Sequence, residues 1–383
     1  MSSRNLFVVM TSVLLMAACG PKYIKPVEGS QTAVALSFFK NVNAVAGHDE
    51  NIVASPYSAT VALSMLAEGA EGQTRAEFEK ALGGIIFKAD DLGSNDTVTV
   101  KSSNSVWVDD NFSLRNSYVS LLQKDFDAFI TTQRFSDPAT VQAINNWCLE
   151  HTEGKIGDVI DRLDPGMVMV LINALYFKAP WENAFDPSLT SNHVFNGQSG
   201  KSDVQMMHRK AEYDYTEYEG IQMIRLPYAG GRYSMYVVLP PAGTDVGKLI
   251  QKVDEAAYDY AMGMFKPAKV MFSMPKFRQE FSMLLNPVLM NMGIRTAFTS
   301  AADFSGIAEM GPLVLDQVKQ KCYVEVEEKG TEAAAVTVAQ MRLTSVRPDQ
   351  EKVVRMTVDR PFVFMISDSR NGNVLFAGKI VNL

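Results

Sequence analysis

Residues 168–177 form a nearly unbroken apolar run, VMVLINALYF. Such a run is typical of a strand that is covered on both faces, because neither face carries enough polar side chains to meet water. A strand of this kind lies near the centre of a large sheet, with other elements packed on each side. The run therefore predicts a layered structure of α-helices and β-strands.

The 383 residues show no internal boundary, although a chain of this length often folds as two or three domains. No Pro/Gly/Ser-rich linker, block of charge or internal repeat divides the sequence. Ser55 before Pro56 and Asp137 before Pro138 predict helix starts, and Gly69 with Gly72 predicts a helix end. Asn371 and Gly372 predict a hairpin between the last two strands. Five more segments are predicted strands: 233–239, 268–274, 322–328, 361–366 and 374–381.

Composition argues against several classes of function. The net charge of −7 makes a nucleic-acid partner a poor expectation. The four histidines show no spacing typical of a metal site, and no GxSxG, Walker or GxGxxG motif is present. The sequence therefore predicts a protein that is not an enzyme and that needs no cofactor or metal. Cys148 and Cys322 are too few for a disulfide framework, so we expect two buried thiols.

The first residues have the pattern of an export signal. Arg4 precedes an apolar run, residues 6–18, that is too short to span a bilayer. The run ends in LMAAC, which resembles a bacterial lipoprotein signal with Cys19 as the lipidated residue. We expect a signal peptide at 1–18, a lipidated tether at 19–31 and a lipid-anchored protein of the bacterial cell envelope, at the periplasmic face or the cell surface. The alternative is an ordinary signal peptide that is cut after Ala18.

Residues 327–337, EEKGTEAAAVT, combine charges, a glycine and small side chains that favour no single secondary structure. As a strand, the segment alternates between two faces. The face that begins at Thr331 is small, uncharged or apolar and suits a packed interior, and the other carries the charges and suits solvent. The alternative is an exposed helix starting at Glu332, because alanine is the best helix former.

This segment resembles the hinge of the serpin family, and other blocks match the same family in order. They include NIVASPYSATVALSMLAEGAEGQT at 51–74, INNWCLEHTEGKI at 144–156, NALYFKAPWENAF at 173–185, LPYAGGRYSMYVVLP at 226–240, MPKF at 274–277, ADFSGI at 302–307 and PFVFMI at 361–366. The resemblance covers about residues 32–383. It implies an α+β serpin fold with three β-sheets, a large central sheet, eight to nine helices and an exposed reactive-centre loop at about 328–352.

The resemblance also implies a mechanism. A serine protease, or alternatively a cysteine protease, attacks a loop carbonyl and forms an acyl-enzyme. The cut loop then enters the central sheet as a new strand, a known form of strand addition, and traps the protease before deacylation. Two other functions stay open: a non-inhibitory serpin that binds partners or acts like a chaperone and is cut as a plain substrate, and a hydrolase with an unrecognised site.

Site residues follow from the matched positions. The resemblance assigns Lys276 and Glu328 to a pair at the entry of the sheet, with Trp181 at the same opening. It assigns Ser55, Ser58 and Asn173 to a polar cluster beneath the sheet, where Gln320 stands in place of a frequent histidine. The hinge comprises Glu328, Gly330, Thr331, Glu332, Ala333, Ala334, Ala335, Val336 and Thr337.

The family's usual spacing from the hinge implies a scissile bond between Thr344 and Ser345. The small β-branched side chain of Thr344 then favours an elastase-like or subtilisin-like target. The alternatives are Leu343 for chymotrypsin-like enzymes, and Arg342 or Arg347 for trypsin-like enzymes. The region before Trp107 is acidic and polar where some relatives carry a basic helix, so heparin activation is not expected. The expected partner is a target serine protease in a covalent complex, and the inhibitor is expected to be a monomer.

Overall fold

A computed structural model describes residues 31–89, 92–93, 97–164, 166–309, 313–331 and 353–383. The predictions for the signal peptide, Cys19 and the tether up to residue 30 lie outside these residues. So do the hinge from Glu332 to Thr337 and every candidate scissile position from Arg342 to Arg347.

The described residues form eight α-helices. Ser55 accepts a hydrogen bond from the Ser58 amide at the start of α2, and Asp137 caps α5 in the same way, as their sequences predict. Gly69 ends α2, but Gly72 begins the next helix with φ +55°, so its prediction as a helix end is wrong. The helices are α1 Gln31–Val45, α2 Pro56–Glu68, α3 Gly72–Ala81, α4 Asn116–Phe126, α5 Pro138–His151, α6 Val246–Lys252, α7 Glu255–Gly263 and α8 Asn286–Asn291.

The strands include all six that the sequence predicts, with ends that differ by up to three residues. The six are β4, β8, β9, β11, β14 and β15 in the structure. The strands are β1 Ile52–Ala54, β2 Thr99–Asp109, β3 Ala128–Gln133, β4 Met169–Pro180, β5 Ser191–Asn196, β6 Lys201–Tyr218, β7 Ile221–Pro227, β8 Tyr233–Leu239, β9 Lys266–Pro275, β10 Phe277–Leu284, β11 Lys319–Glu327, β12 Gly330–Thr331, β13 Val354–Thr357, β14 Phe362–Asp368 and β15 Val374–Ile380.

Hydrogen bonding joins the strands into two networks. One is the six-stranded central sheet, in the order β10-β11-β12-β4-β2-β3, with only β2 and β3 parallel. The other has nine strands, in the order β1-β15-β14-β8-β7-β6-β9-β13, with β5 beside β6. Because the long β6 pairs with β5, β7 and β9, two of the three sheets that the family pattern implies are continuous here. The α+β fold with a large mixed central sheet is confirmed.

The central sheet is covered on both faces, as the apolar run in β4 predicts. Helix α2 is almost wholly buried and contacts both β4 and β15, so it lies between the two networks. Leu175, Phe177 and Ala179 of β4 face this core. Ile172 and Ala174 face the opposite way and pack in a second apolar cluster with residues of α5.

Candidate functional site

The central sheet contains a cleft between β4 and β11. Within the described residues these two strands are joined only through β12, which is two residues long. Thr331 of β12 lies opposite Ala179 on β4 and opposite Val326 on β11. Beyond β12 the cleft has a volume of about 1070 Å³, with α2 as its floor and residues 169–173 and 317–320 as its sides. Among the described residues, no strand other than β12 pairs with the backbone edges that β4 and β11 turn toward this cleft.

Gly330 lets the chain enter between the two strands. Its φ is +150°, a backbone conformation that other L-residues rarely adopt. A Cβ atom here would lie 2.2 Å from the Ala179 carbonyl oxygen and 2.5 Å from the Pro180 Cα. Any larger residue would therefore collide with the backbone of β4.

Thr331 is buried at the head of the cleft, with 2% of its surface exposed. Its hydroxyl lies 2.7 Å from the hydroxyl of Tyr228, which is fully buried. Burial raises the pKa of Tyr228 well above its usual range, so the phenol stays neutral and shares this hydrogen bond. The Tyr228 ring stacks on Trp181, with centroids 4.5 Å apart and an interplanar angle of 12°.

Trp181 also fixes the turn between β11 and β12. Its indole Nε1 donates to the Glu327 carbonyl at 3.0 Å, and its backbone N–H donates to the Lys329 carbonyl at 2.9 Å. Trp181 is 4% exposed, so both hydrogen bonds are shielded from water. Trp181 therefore lies at the head of the cleft, beside the turn that leads into β12.

Glu328 lies in this turn, and both of its carboxylate oxygens have a partner. Lys276 Nζ lies 3.0 Å from Glu328 Oε2, and the Thr190 hydroxyl donates to Glu328 Oε1 at 2.9 Å. Burial acts to raise the pKa of Glu328, but the hydrogen bonds from Lys276, its own backbone N–H and Thr190 hold it below its ordinary value. Burial likewise acts to lower the pKa of Lys276, and Glu328 raises it above its ordinary value. Both residues are therefore charged at neutral pH.

Halfway along the cleft, Gln320 binds the backbone at the start of α2. Its Oε1 accepts from the Ser55 amide at 3.0 Å, and its Nε2 donates to the Ser55 carbonyl at 2.9 Å. An amide can make both bonds at once because it carries a donor and an acceptor. The structure thus brings Ser55, Ser58 and Gln320 together, with Ser58 and Gln320 lining the cleft.

Asn173 lies on the opposite side of the cleft. Its Nδ2 donates to Asn104 Oδ1, and Asn104 Nδ2 donates to the Phe126 carbonyl at 2.6 Å. Among the described residues, Asn173 Oδ1 is buried and has no hydrogen-bond donor. Asn104 is 2% exposed and directly opposite Asn173 on β2, a partner that the sequence analysis missed. The sequence feature that could have indicated Asn104 is a single amide side chain among serines, KSSNS at 101–105, just before an apolar part of the strand.

Within the described ranges, no group of three or more His, Cys, Asp and Glu side chains is placed to hold a metal ion. No helix of the described chain is both long and apolar enough to cross a membrane. Cys148 and Cys322 are free, buried thiols, as predicted, and burial raises the pKa of each to about 12.

Comparisons with known proteins agree with this geometry. A family model described as Serpin (serine protease inhibitor) matches residues 29–383. An uncharacterized serpin-like protein of Thermococcus kodakarensis is 34% identical over 373 residues, which is 94% of this chain and 86% of that protein. Human Serpin B8 is 32% identical over 369 residues, covering 90% of this chain and 96% of its own length.

Among solved structures, the native state of the thermophilic serpin tengpin superposes with a TM-score of 0.84 at 29% identity. That match covers 95% of this chain and 96% of tengpin. Members of this family are generally protease inhibitors rather than enzymes. With a match along almost its whole length, the chain belongs to the serpin family.

Proposed function

We propose that this chain is a suicide-substrate inhibitor of serine endopeptidases, and that it traps the acyl-enzyme by inserting its cleaved loop into the central sheet. The observation that carries the proposal is the cleft between β4 and β11, with Gly330 and Thr331 already paired at its head. A strand that continued from Thr331 would meet an open backbone edge on each side. Cutting the loop would free the following residues to continue the pairing.

The pairing at Thr331 defines where such a strand would lie. Thr331 pairs with Ala179 and with Val326, so residue 337, six positions on, would lie opposite Asn173 and Gln320. Thr337 would thus place a hydroxyl group level with Asn173, whose Oδ1 has no donor among the residues that the structure describes. About ten new ladder hydrogen bonds, at roughly 0.5–1.5 kcal/mol each, would release on the order of 10 kcal/mol. That is comparable with the whole stability of an ordinary domain.

The two faces of this strand would meet different surroundings. Ala333, Ala335 and Thr337 share the face of Thr331 and would point at α2, in line with their small size. In register, Val336 and Val338 would lie beside Ala174 and Ile172, which belong to the apolar cluster under α5. The face that carries Val336 and Val338 would therefore pack in that cluster and not meet solvent along this stretch. This packing accounts for two valines on a face that the alternation pattern had suggested for solvent.

The target class follows from the loop sequence. We propose that cleavage occurs between Thr344 and Ser345 by an elastase-like or subtilisin-like protease. We also retain the proposal that Cys19 carries a lipid that anchors the inhibitor to the bacterial cell envelope. An intact hinge, with Thr331, Ala333 and Ala335 small or uncharged, favours inhibition over the alternative of a non-inhibitory serpin.

The test is to mix the purified protein with pancreatic elastase and with subtilisin. We expect a covalent complex that survives SDS, together with a released C-terminal peptide whose mass begins at Ser345. As a matched control, Thr344→Asp should remove the elastase-like site while leaving the hinge intact. Complete turnover of the loop without any adduct would contradict inhibition, and a peptide that begins elsewhere would move the scissile bond.

A further inference from the structure

Two histidines lie close together on neighbouring strands, and neither of them lines the cleft. His193 is on β5 and His208 is on β6, and their ring centroids are 5.7 Å apart with an interplanar angle of 60°. Among the described strands, β5 pairs only with β6. The two rings therefore connect an edge strand to its one neighbour.

Two serine hydroxyls orient the ring of His208. Its Nδ1 lies 2.8 Å from Ser273 Oγ on β9, and its Nε2 lies 3.1 Å from Ser191 Oγ on β5. When Nδ1–H donates to Ser273, the lone pair of Nε2 points toward β5. A histidine that binds a metal usually donates its other ring N–H to such a partner, which fixes its tautomer and its orientation. Ser191 is exposed, so its hydroxyl can rotate away and leave Nε2 open to an ion.

His193 is the more accessible of the two rings. It is exposed, and within the part of the chain that the structure describes it makes no hydrogen bond or ion pair. Burial, followed by the charge of a protonated His193, lowers the pKa of His208 below its ordinary value. His208 is therefore mainly neutral at pH 7, which is the form in which an imidazole binds a metal.

The spacing of the rings suits a single shared ion. Two imidazoles that bind one tetrahedral ion at about 2.0–2.1 Å have ring centres roughly 5 Å apart. The observed 5.7 Å is close to this value, and a small rotation of the exposed His193 side chain closes the difference. No third His, Cys, Asp or Glu of the described residues joins the pair, so water would complete the coordination.

The ligands also select the kind of ion. Imidazole nitrogens suit copper, nickel and zinc, whereas Mg²⁺ and Ca²⁺ prefer oxygen ligands. Lys210 follows two residues after His208 on the same face of β6 and places a positive charge nearby. That charge disfavours ions that are held by charge alone, which again excludes Mg²⁺ and Ca²⁺.

We propose that His193 and His208 bind one divalent transition-metal ion, and that this ion joins the edge strand β5 to β6. Cu²⁺ should bind more tightly than Ni²⁺ or Zn²⁺, in the usual order of affinity for nitrogen ligands. Release of β5 from β6 separates the two ligands, so a bound ion must slow that release. The site is independent of the proposed inhibition.

The test titrates the intact protein, freed of metal with EDTA, with Cu²⁺, Ni²⁺, Zn²⁺ and Mg²⁺ in separate calorimetric experiments. His193→Asn removes one ligand, and Ser273→Ala removes the hydroxyl that orients His208. His48→Gln is the matched control, because His48 is also exposed and lies beside Asp49 and Asp245. Thermal unfolding in EDTA establishes that each variant folds like the native chain.

We expect one Cu²⁺ per chain at this site, with the same affinity in His48→Gln. Ser273→Ala should weaken binding by about tenfold, as the loss of a partner behind a metal ligand does, and His193→Asn should weaken it by more than that. At a free Cu²⁺ concentration of about ten times the Kd, hydrogen exchange of the β5 amides should slow by roughly tenfold.

Three results would overturn the site: equal Cu²⁺ affinity in the native chain and His193→Asn, loss of binding only in His48→Gln, or Mg²⁺ binding that His193→Asn abolishes. Unchanged exchange of β5 in the Cu²⁺-bound protein would show that the ion does not join the two strands.

Discussion

Thr331→Arg tests whether the head of the cleft is the entry point of a strand. Thr331 is 2% exposed and lies against Tyr228 and Ala179, both fully buried. An arginine here would bury a charge without a carboxylate partner in the described structure around it, at a cost of several kcal/mol. If at least about 3 kcal/mol of this falls on strand entry, insertion slows by on the order of 100-fold. The intact fold should survive, because β12 contributes only two residues to the sheet.

The assay is the stoichiometry of inhibition, the number of inhibitor molecules consumed per protease trapped. When insertion is slower, more of the acyl-enzyme is hydrolysed before the protease is trapped. We therefore expect the ratio to rise from near one to far above ten. Thr331→Val is the control, since it keeps the shape and loses only the hydrogen bond to Tyr228, worth about 1 kcal/mol. Unchanged stoichiometry for the arginine variant, with native folding, would refute an entry point at Thr331.

Two further variants address the turn before β12. Glu328→Gln should lower the free energy of unfolding by about 1 kcal/mol at pH 7, because Lys276 loses its nearer carboxylate partner and keeps Glu327 at 3.5 Å. Since the folded pKa of Glu328 is depressed, this difference should be complete above about pH 4.3 and disappear as the pH falls through the folded pKa, as urea titrations at each pH would show. Gly330→Ala should release β12 from β4, because its Cβ would meet the Ala179 oxygen at 2.2 Å, so faster exchange of the Thr331 amide is expected and native protection would contradict it.

Much of the fold could be predicted because its signals are local. The apolar run of β4 required cover on both faces, and Ser55–Pro56 and Asp137–Pro138 began helices where their side chains could cap them. The prediction that Gly72 ends a helix was wrong because a glycine between two helices indicates a left-handed residue but not whether that residue ends the first helix or begins the second. Here the left-handed residue opens α3.

The site was harder to predict because its contacts join distant segments. The family pattern placed Lys276, Glu328 and Trp181 at one opening, but not the hydrogen bond from Tyr228 to Thr331, which joins residues 103 positions apart. Asn104 was missed for the same reason, since only the pairing of β2 with β4 sets it against Asn173. The even-numbered face of the hinge looked suited to solvent because the sequence does not reveal that α5 covers the neighbouring strand.

Gln320 affects how strand entry depends on pH. The family pattern often has a histidine at this position, and an imidazole titrates within the physiological range. Gln320 holds both the amide and the carbonyl of Ser55 and does not titrate, so this contact should be the same from about pH 5 to 8. Gln320→His should make the contact sensitive to acid, because a protonated imidazole cannot accept from the Ser55 amide. Burial disfavours the protonated form, so the folded pKa lies below that of the unfolded chain, and stability should fall as the pH drops below about 6.5. Thermal unfolding between pH 5 and 8 measures this, and parallel curves for the two proteins would show that Gln320 does not govern this contact.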